Sequence, residues 1–361
     1  MNVLFSSGQP YLPQVSGGAQ TSTHEIMLEL MKLGHKVSML SGLTGDGWLG
    51  RRDRLLLKLK LGKAIRDDSL AYPVYRGWFP APAVSEVAAK VRPDVAVIPT
   101  SKGVPLGLAF QALGIPVVIY LRDVEFHELG GSLEELPGAV YLANSQFTAD
   151  SYAKAFGITA TVVPPLFQRQ FYVTPTTRKH VTFINPHRHK GAELALDLAE
   201  LCPDIPFCFV SGWILPEGDA EWLAERLTRL PNVTMKPRTS TIRDVYAHTK
   251  ILLAPSRWEE AWGRVVSEAH FSGIPTLATA IGGLPESVGP GGVLMDKDAP
   301  AQAWADVLNA LWRDDAKYEA LSSAALAYAD RPQLDPKQQI ASLMGVLQQA
   351  VDAHAARLVA A

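Results

Sequence analysis

Residues 255–286 read PSRWEEAWGRVVSEAHFSGIPTLATAIGGLPE, and they follow the apolar run Ile251-Leu252-Leu253-Ala254. That run has the length and composition of a parallel strand buried on both faces. Pro275 to Ala280 reads as a second one. Between them the pattern predicts a loop and then a helix that starts near Gly263 and closes at Gly273, with Pro275 as a stop. Glu260 falls in the loop and Glu268 on the helix, and Arg264 and Glu268 share a helix face at i,i+4. The first-turn amides of Gly263, Arg264 and Val265 have no partner inside a helix, so a phosphate is favoured there. Amides on phosphates and carboxylates on sugar or ribose hydroxyls would together hold a sugar diphosphate.

The same residues form a wider pattern: Glu-x7-Glu followed by Gly-Gly-x-x-Glu, carried by Glu260, Glu268, Gly282, Gly283 and Glu286. It resembles the signature of the family-4-type retaining, nucleotide-sugar-dependent glycosyltransferases. A lone Glu-x7-Glu is better explained by a helix with a capping acid and a solvated acid. The flanking strands and glycines argue for the signature. The resemblance implies an α/β chain of GT-B architecture, two Rossmann-like domains with parallel sheets facing across a cleft. Its limits would be an acceptor-side domain at 1–166 and a nucleotide-sugar domain at 167–336, with a last helix from about Lys337 to the C-terminus packed back on the first.

Size fits two domains: 361 residues, 47% hydrophobic and 19% charged. A net charge of −2 gives no global footprint for nucleic acid. Cys202 and Cys208 sit in or beside the apolar IPFCFV run and read as reduced buried thiols. The opening MNVLFSSGQPY lacks the basic and apolar regions of a signal peptide, and no apolar run is long enough to span a bilayer. A cytoplasmic protein is expected, with peripheral contact to the inner membrane face as an option.

In the first half, Asn2 to Ser6 reads as a strand, followed by the loop GQPYLPQVSGGAQ and a helix from about Thr21 to Leu33. Strand, glycine loop and helix together cradle phosphate in nucleotide folds. Gly17-Gly18-Ala19-Gln20 resembles the family's Gly-Gly-Ala-Glu, with Gln20 in place of the acid. Arg51 to Arg66, RRDRLLLKLKLGKAIR, carries seven Lys or Arg against one Asp. Leu55, Leu56, Leu59 and Ala64 would form one face of a helix there. Two readings stay open: a helix lying on an anionic membrane, or one packed on the domain with solvated charges. At the end of the strand Pro116 to Leu121 comes Arg122-Asp123-Val124-Glu125-Phe126-His127. Ligands bind outside strand C-termini in such sheets. Family members carry His-Asp here; this chain has Arg122 before Asp123, and His127 would substitute only by folding back. Arg122 would otherwise neutralise phosphate or orient an acidic acceptor. Asn144-Ser145-Gln146-Phe147-Thr148 resembles another family motif, with Ser145 as an N-cap.

After a linker from Pro164 to about Lys179, the second half opens with a strand at His180 to Ile184 and the loop Asn185-Pro186-His187-Arg188-His189-Lys190-Gly191. Lys190-Gly191 resembles the family's Lys-Gly; Asn185 replaces an Arg for which Arg188 compensates. Lys190 near a diphosphate would stabilise charge growing on the leaving nucleotide. By resemblance Arg238 lies in the loop over the nucleobase, and Gly17, Gly18, Trp262, Gly263, Arg264, Val265 and Glu268 join it around the donor. Catalytic candidates are Lys190, Glu260, Arg188, Asp123, Arg122 and His127.

The implied chemistry is retaining transfer of a sugar from a UDP- or GDP-type donor to an acceptor hydroxyl, with no metal expected. The acceptor is a glycan, a lipid-linked species or a small molecule. A sugar-nucleotide epimerase and a catalytically silent nucleotide-sugar-binding protein are the competing classes. A nicotinamide dehydrogenase lacks its glycine fingerprint here.

Overall fold

The computed structural model describes residues 1–59 and 61–360. Lys60, in the basic stretch, and Ala361, in the expected last helix, lie outside them. The chain divides into two compact units, Met1–Leu166 with Pro336–Ala361, and Phe167–Asp335.

The first unit is built on β1 (Asn2–Pro10), α1 (Gly18–Lys32), β2 (Lys36–Gly42), α2 (Gly47–Lys58), β3 (Ile65–Asp67), β4 (Val74–Gly77), α3 (Pro80–Val91), β5 (Val95–Pro99), α4 (Gly103–Gln111), β6 (Val117–Leu121), β7 (Val140–Ala143), α5 (Gln146–Phe156) and β8 (Ala160–Val162). Its eight-stranded sheet has the order β3-β4-β2-β1-β5-β6-β7-β8. Apart from the antiparallel β3–β4 edge pair, the strands run parallel. The central strands are apolar because helices cover both sheet faces: Val3, Phe5, Val95 and Val97 pack in one layer and Leu4, Ala96, Ile98 and Ile119 in the other.

The second unit comprises β9 (His180–Ile184), α6 (Ala192–Leu201), β10 (Phe207–Val210), α7 (Asp219–Leu227), β11 (Val233–Lys236), α8 (Ile242–Tyr246), β12 (Thr249–Ala254), α9 (Arg264–His270), β13 (Thr276–Thr279), α10 (Leu284–Val288), β14 (Gly292–Met295), α11 (Ala301–Arg313) and α12 (Asp315–Ala329). The sheet order β11-β10-β9-β12-β13-β14 is the doubly wound 3-2-1-4-5-6 order, all parallel. The order reverses between β9 and β12 here and between β1 and β5 in the first unit, so each unit has a switch point at its strand C-termini. The last helix, α13 (Pro336–Ala360), belongs to the first unit. It buries Ile340, Leu343, Val346 and Leu347 in that unit's core, and Gln339 donates to the carbonyls of Pro164 and Pro165.

Two segments differ from the sequence reading. The first strand runs on to Pro10, with an irregular register after Ser6. The basic stretch is not one helix: α2 begins at Gly47 and ends at Lys58, and Ile65–Asp67 is an edge strand. Gly62, at a φ of +147°, is in a conformation no helix tolerates. Beyond it Asp67 is drawn inward by the fully buried Arg76, which donates to it at 2.8 and 3.0 Å. Ala64 accordingly packs against the sheet and not on the helix face with Leu55 and Leu59.

Candidate functional site

Two loops meet at the switch point of the second unit. The first follows β9. Asn185 takes a φ of +65°, and its Oδ1 accepts the Trp213 amide at 2.9 Å. A single turn at Arg188–Lys190 then ends at Gly191, where α6 begins. The second loop follows β12 and carries Glu260. Backbone bonds zip the two together: the amides of Arg257 and Trp258 donate to the His189 carbonyl at 2.9 and 3.0 Å. Gly191 permits this approach, since a Cβ there would lie 1.9 Å from the Pro255 carbonyl oxygen. Gly282 and Gly283 clamp the other side. The Gly283 amide donates to the Glu260 carbonyl at 2.6 Å, and a Cβ on Gly282 would fall 2.5 Å from that same oxygen. The Gly-Gly pair is thus the backing against which the Glu260 loop is pressed.

This scaffold brings Lys190 and Glu260 together, Nζ to Oε1 at 2.5 Å, with the Ser256 hydroxyl donating to the same carboxylate oxygen at 3.2 Å. Lys190 also lies over the Trp213 ring, 4.7 Å from its centre. Both partners keep partial solvent access. The pair is therefore preorganised, and an anion arriving here would compete for the ammonium at modest desolvation cost. Glu268 is deeper. Its carboxylate faces Arg264 Nε at 3.4 Å and accepts the buried Tyr246 hydroxyl at 3.0 Å. Burial, with the Glu268 charge alongside, raises the Tyr246 phenol well above its ordinary value, so it stays a donor.

Other expected residues are placed elsewhere. Arg188 turns to α7: it donates to Asp219 at 2.8 Å, pairs with Glu193 and stacks on Trp222. These contacts use its fork structurally and not beside Lys190. Arg264 lies over Phe167 and donates to the Tyr172 hydroxyl at 2.9 Å, so its guanidinium is engaged by the segment entering the unit. Trp262 is 3% exposed with its indole bonded to Ser267, a core residue and not a donor surface. Gly263, at a φ of +82°, lets the chain turn into α9 beside Leu284, and Val265 follows in the first turn. Arg238 is exposed after β11, at the far edge of the sheet.

The switch point of the first unit holds an open hollow. Ser7, Gln9, Gln20, Thr100, Ser101 and Asp123 give it a polar lining. Gly17 caps α1 and Gly18 is its first residue; the Gln20 amide reaches back to Gln9 and the Pro10 carbonyl, both at 3.4 Å. Arg122 is held by its surroundings. Its guanidinium donates to the Ala19 carbonyl at 2.8 Å and Thr23 Oγ1 at 2.7 Å and stacks on Tyr120. It ties β6 to the first turn of α1. Asp123 is the carboxyl group in the lining of this hollow. Burial, with Glu125 and Glu128 nearby, raises its carboxyl to about 7, and Oδ1 has no hydrogen-bond partner among the described residues. His127 does not fold back: its side chain is 78% exposed, beside Glu128.

Sequence reading passed over Thr100, Ser101, Ser256 and Tyr246. The first two follow a recognised strand at the switch point, and the topological rule finds them once strand order is known. The expectation of no metal rests in part on there being no Asp-x-Asp after a strand; Asp296-Lys297-Asp298, directly after β14, corrects that. Its Asp296 Oδ1 accepts the Asp298 amide at 2.8 Å, a local turn. Among the described residues no three His, Cys, Asp or Glu side chains are grouped to hold a metal ion.

Two family descriptions match the chain: Glycosyltransferase Family 4 over residues 16–167 and Glycosyl transferases group 1 over residues 167–327. D-inositol 3-phosphate glycosyltransferase of Corynebacterium urealyticum is 34% identical over 174 residues, 44% of this chain and 40% of that relative. Its counterpart 1 from Catenulispora acidiphila is 34% identical over 145 residues, 37% of this chain and 33% of the relative. The match thus spans less than half the length of either relative. Among solved structures, Anabaena Alr3699/HepE in complex with UDP superposes with a TM-score of 0.76 at 22% identity, covering 96% of this chain and all of that one. Sucrose-phosphate synthase from Thermosynechococcus elongatus gives 0.75 at 15% identity over 98% of this chain and all of that one. With one domain description on each unit, and both units of parallel-sheet α/β build, the chain belongs to the family-4-type glycosyltransferases of GT-B fold.

Proposed function

We propose that the protein transfers a sugar, with retention, from a nucleotide-diphospho-sugar to an acceptor hydroxyl, and that the donor is a UDP-sugar. The observation that carries this is the Lys190–Glu260 pair at the switch point of the second unit, held by loops that three glycines bring into backbone contact. The donor diphosphate takes the Lys190 ammonium and frees Glu260 to accept a hydroxyl of the donor sugar. First-turn amides of α9 add donors for the phosphates. Glu268, fixed by Tyr246 on one oxygen and facing Arg264 with the other, would accept from the ribose hydroxyls alongside these partners. As the C1–O bond lengthens, Lys190 stabilises the charge gathering on the leaving phosphate. The acceptor hydroxyl enters on that same face and gives its proton to a phosphate oxygen, so no metal is required. The UDP preference leans on the Alr3699/HepE structures, which hold UDP and UDP-glucose. The acceptor side is assigned to the hollow around Asp123, whose hydroxyl-rich lining suits a polyol or sugar in glycan or glycoconjugate synthesis.

Thermal-shift titration with UDP-, GDP-, ADP- and TDP-sugars tests the donor, followed by assay of nucleotide release. A UDP-sugar shift with nucleotide release is expected. Lys190→Ala should lower turnover by about 100- to 1,000-fold, the scale of removing one positioned charge-stabilising group. Wild-type turnover in a folded Lys190→Ala protein would refute the assignment.

A further inference from the structure

The outer face of α2 is apolar where solvent should meet polar groups. Gly50, Asp53 and Leu57 define the inner stripe of this helix; Gly50 and Asp53 are buried. A Cβ on Gly50 would lie 2.4 Å from the Thr44 carbonyl oxygen, so the helix lies tightly on its own entry loop. At 100° per residue the stripe opposite is Trp48, Leu55 and Leu59. These are 78%, 58% and 61% exposed. The pattern of a surface helix is thus inverted. Arg51 and Lys58 border the stripe on one side and Arg52 on the other. The helix has one acid, Asp53, which is buried and paired with Arg52. Arg51, Arg54 and Lys58 have no carboxylate partner among the described residues. The patch continues onto the corner between β4 and α3, where Trp78 and Phe79 are exposed and the Trp78 ring reaches the Gly45 loop leading into α2.

We propose that this face docks on an anionic lipid bilayer, with Trp48, Leu55 and Leu59 entering the headgroup–acyl boundary and the flanking cations reading the negative surface. Exposed aromatic and aliphatic side chains bordered on one side by the unpaired cations Arg51 and Lys58 fit an interface of that depth and sign. A soluble protein partner would need complementary acids, and a second copy of this chain would bring the same cations face to face. No helix among the described residues is long and apolar enough to cross a membrane, so the attachment would be peripheral. This inference stands on α2 and its neighbours and not on the donor site.

The test is co-sedimentation of the full chain with vesicles of phosphatidylcholine alone and of phosphatidylcholine with phosphatidylglycerol. Binding to the anionic vesicles, weak binding to the neutral ones, and a fall with added salt are expected. Leu55→Ser with Leu59→Ser should reduce partitioning at least ten-fold. Arg51→Glu with Arg54→Glu should reduce it about five-fold per charge removed or more. Both variants alter solvent-facing positions and should keep the wild-type melting temperature and UDP affinity, which separates loss of docking from failure of the donor site. Absence of binding to anionic vesicles would overturn the proposal. So would equal binding by the variants, or a wild-type dimer that the leucine variant abolishes.

Discussion

At the scale of single residues, the carboxylates are distinguished by their surroundings. Glu268 is fixed from two sides, so its function is one of position. Glu268→Ala leaves the buried Tyr246 hydroxyl with the longer bond to the Val265 carbonyl, 3.4 Å, in place of a charged acceptor. A loss of about 1–3 kcal/mol in stability is expected from that weakened partnership, together with weaker UDP affinity. Tyr246→Phe should reproduce part of the stability loss but little of the affinity loss, as measured by urea unfolding and calorimetric titration. Asp123 behaves differently. Its folded value near 7 lies above the ordinary carboxylate value of about 3.9. Between those values the native chain keeps a proton that the unfolded chain has released. Stability therefore falls as pH rises from about 4 to about 7 and levels off above. Asp123→Asn should abolish that slope and make the protein more stable at pH 8 than wild type, by up to about 4 kcal/mol. Urea unfolding of both proteins at pH 5 and pH 8 measures it. A slope unchanged by the substitution would show that Asp123 is already ionised in the native chain.

At the scale of elements, the legible parts were those set by local physics. The buried strands announce themselves as apolar runs because a parallel sheet hides both faces. The α5 start was legible because Ser145 accepts the Thr148 amide as an N-cap should. The short β3–β4 edge was not. It depends on Arg76 reaching Asp67 and the carbonyls of Tyr11 and Leu12, groups remote in sequence. The site was legible in the same unequal way. Lys190 and Glu260 were named from their loops, while the second partner of Glu268, Tyr246, comes from α8 and carries no local signal. Arg188 and Arg264 show a related limit: a cation near a proposed phosphate looks available until its stacking partners, Trp222 and Phe167, are known. The glycines carry an element-scale prediction. Gly191 has a φ of +84° and no room for a Cβ against Pro255. Gly191→Ala should push the two loops apart, costing about 2 kcal/mol or more. It should also weaken UDP binding at least ten-fold, because Lys190 and Glu260 then separate. Melting curves with and without UDP read both effects. A destabilised variant with undiminished affinity would mean that the loops locate the donor independently of each other.

At the scale of the whole chain, the polypeptide passes from the first unit to the second near Leu166 and returns near Asp335. The last 26 residues thus complete the unit begun by the first 166. Leu343 and Leu347 of α13 are buried within the core formed by β1, α1 and their neighbours. Stability of the first unit therefore depends on sequence translated after the second unit is complete. A Leu347→Ala substitution removes a fully buried side chain, and such changes cost about 2–5 kcal/mol. The two units have separate cores, so calorimetry should resolve two transitions, and UDP should raise the one belonging to residues 167–335. Leu347→Ala should lower the other by several degrees and leave the UDP-responsive transition in place. If both transitions fell together, the units would unfold as one cooperative body and α13 would be stabilising the unit of residues 167–335 as well as its own.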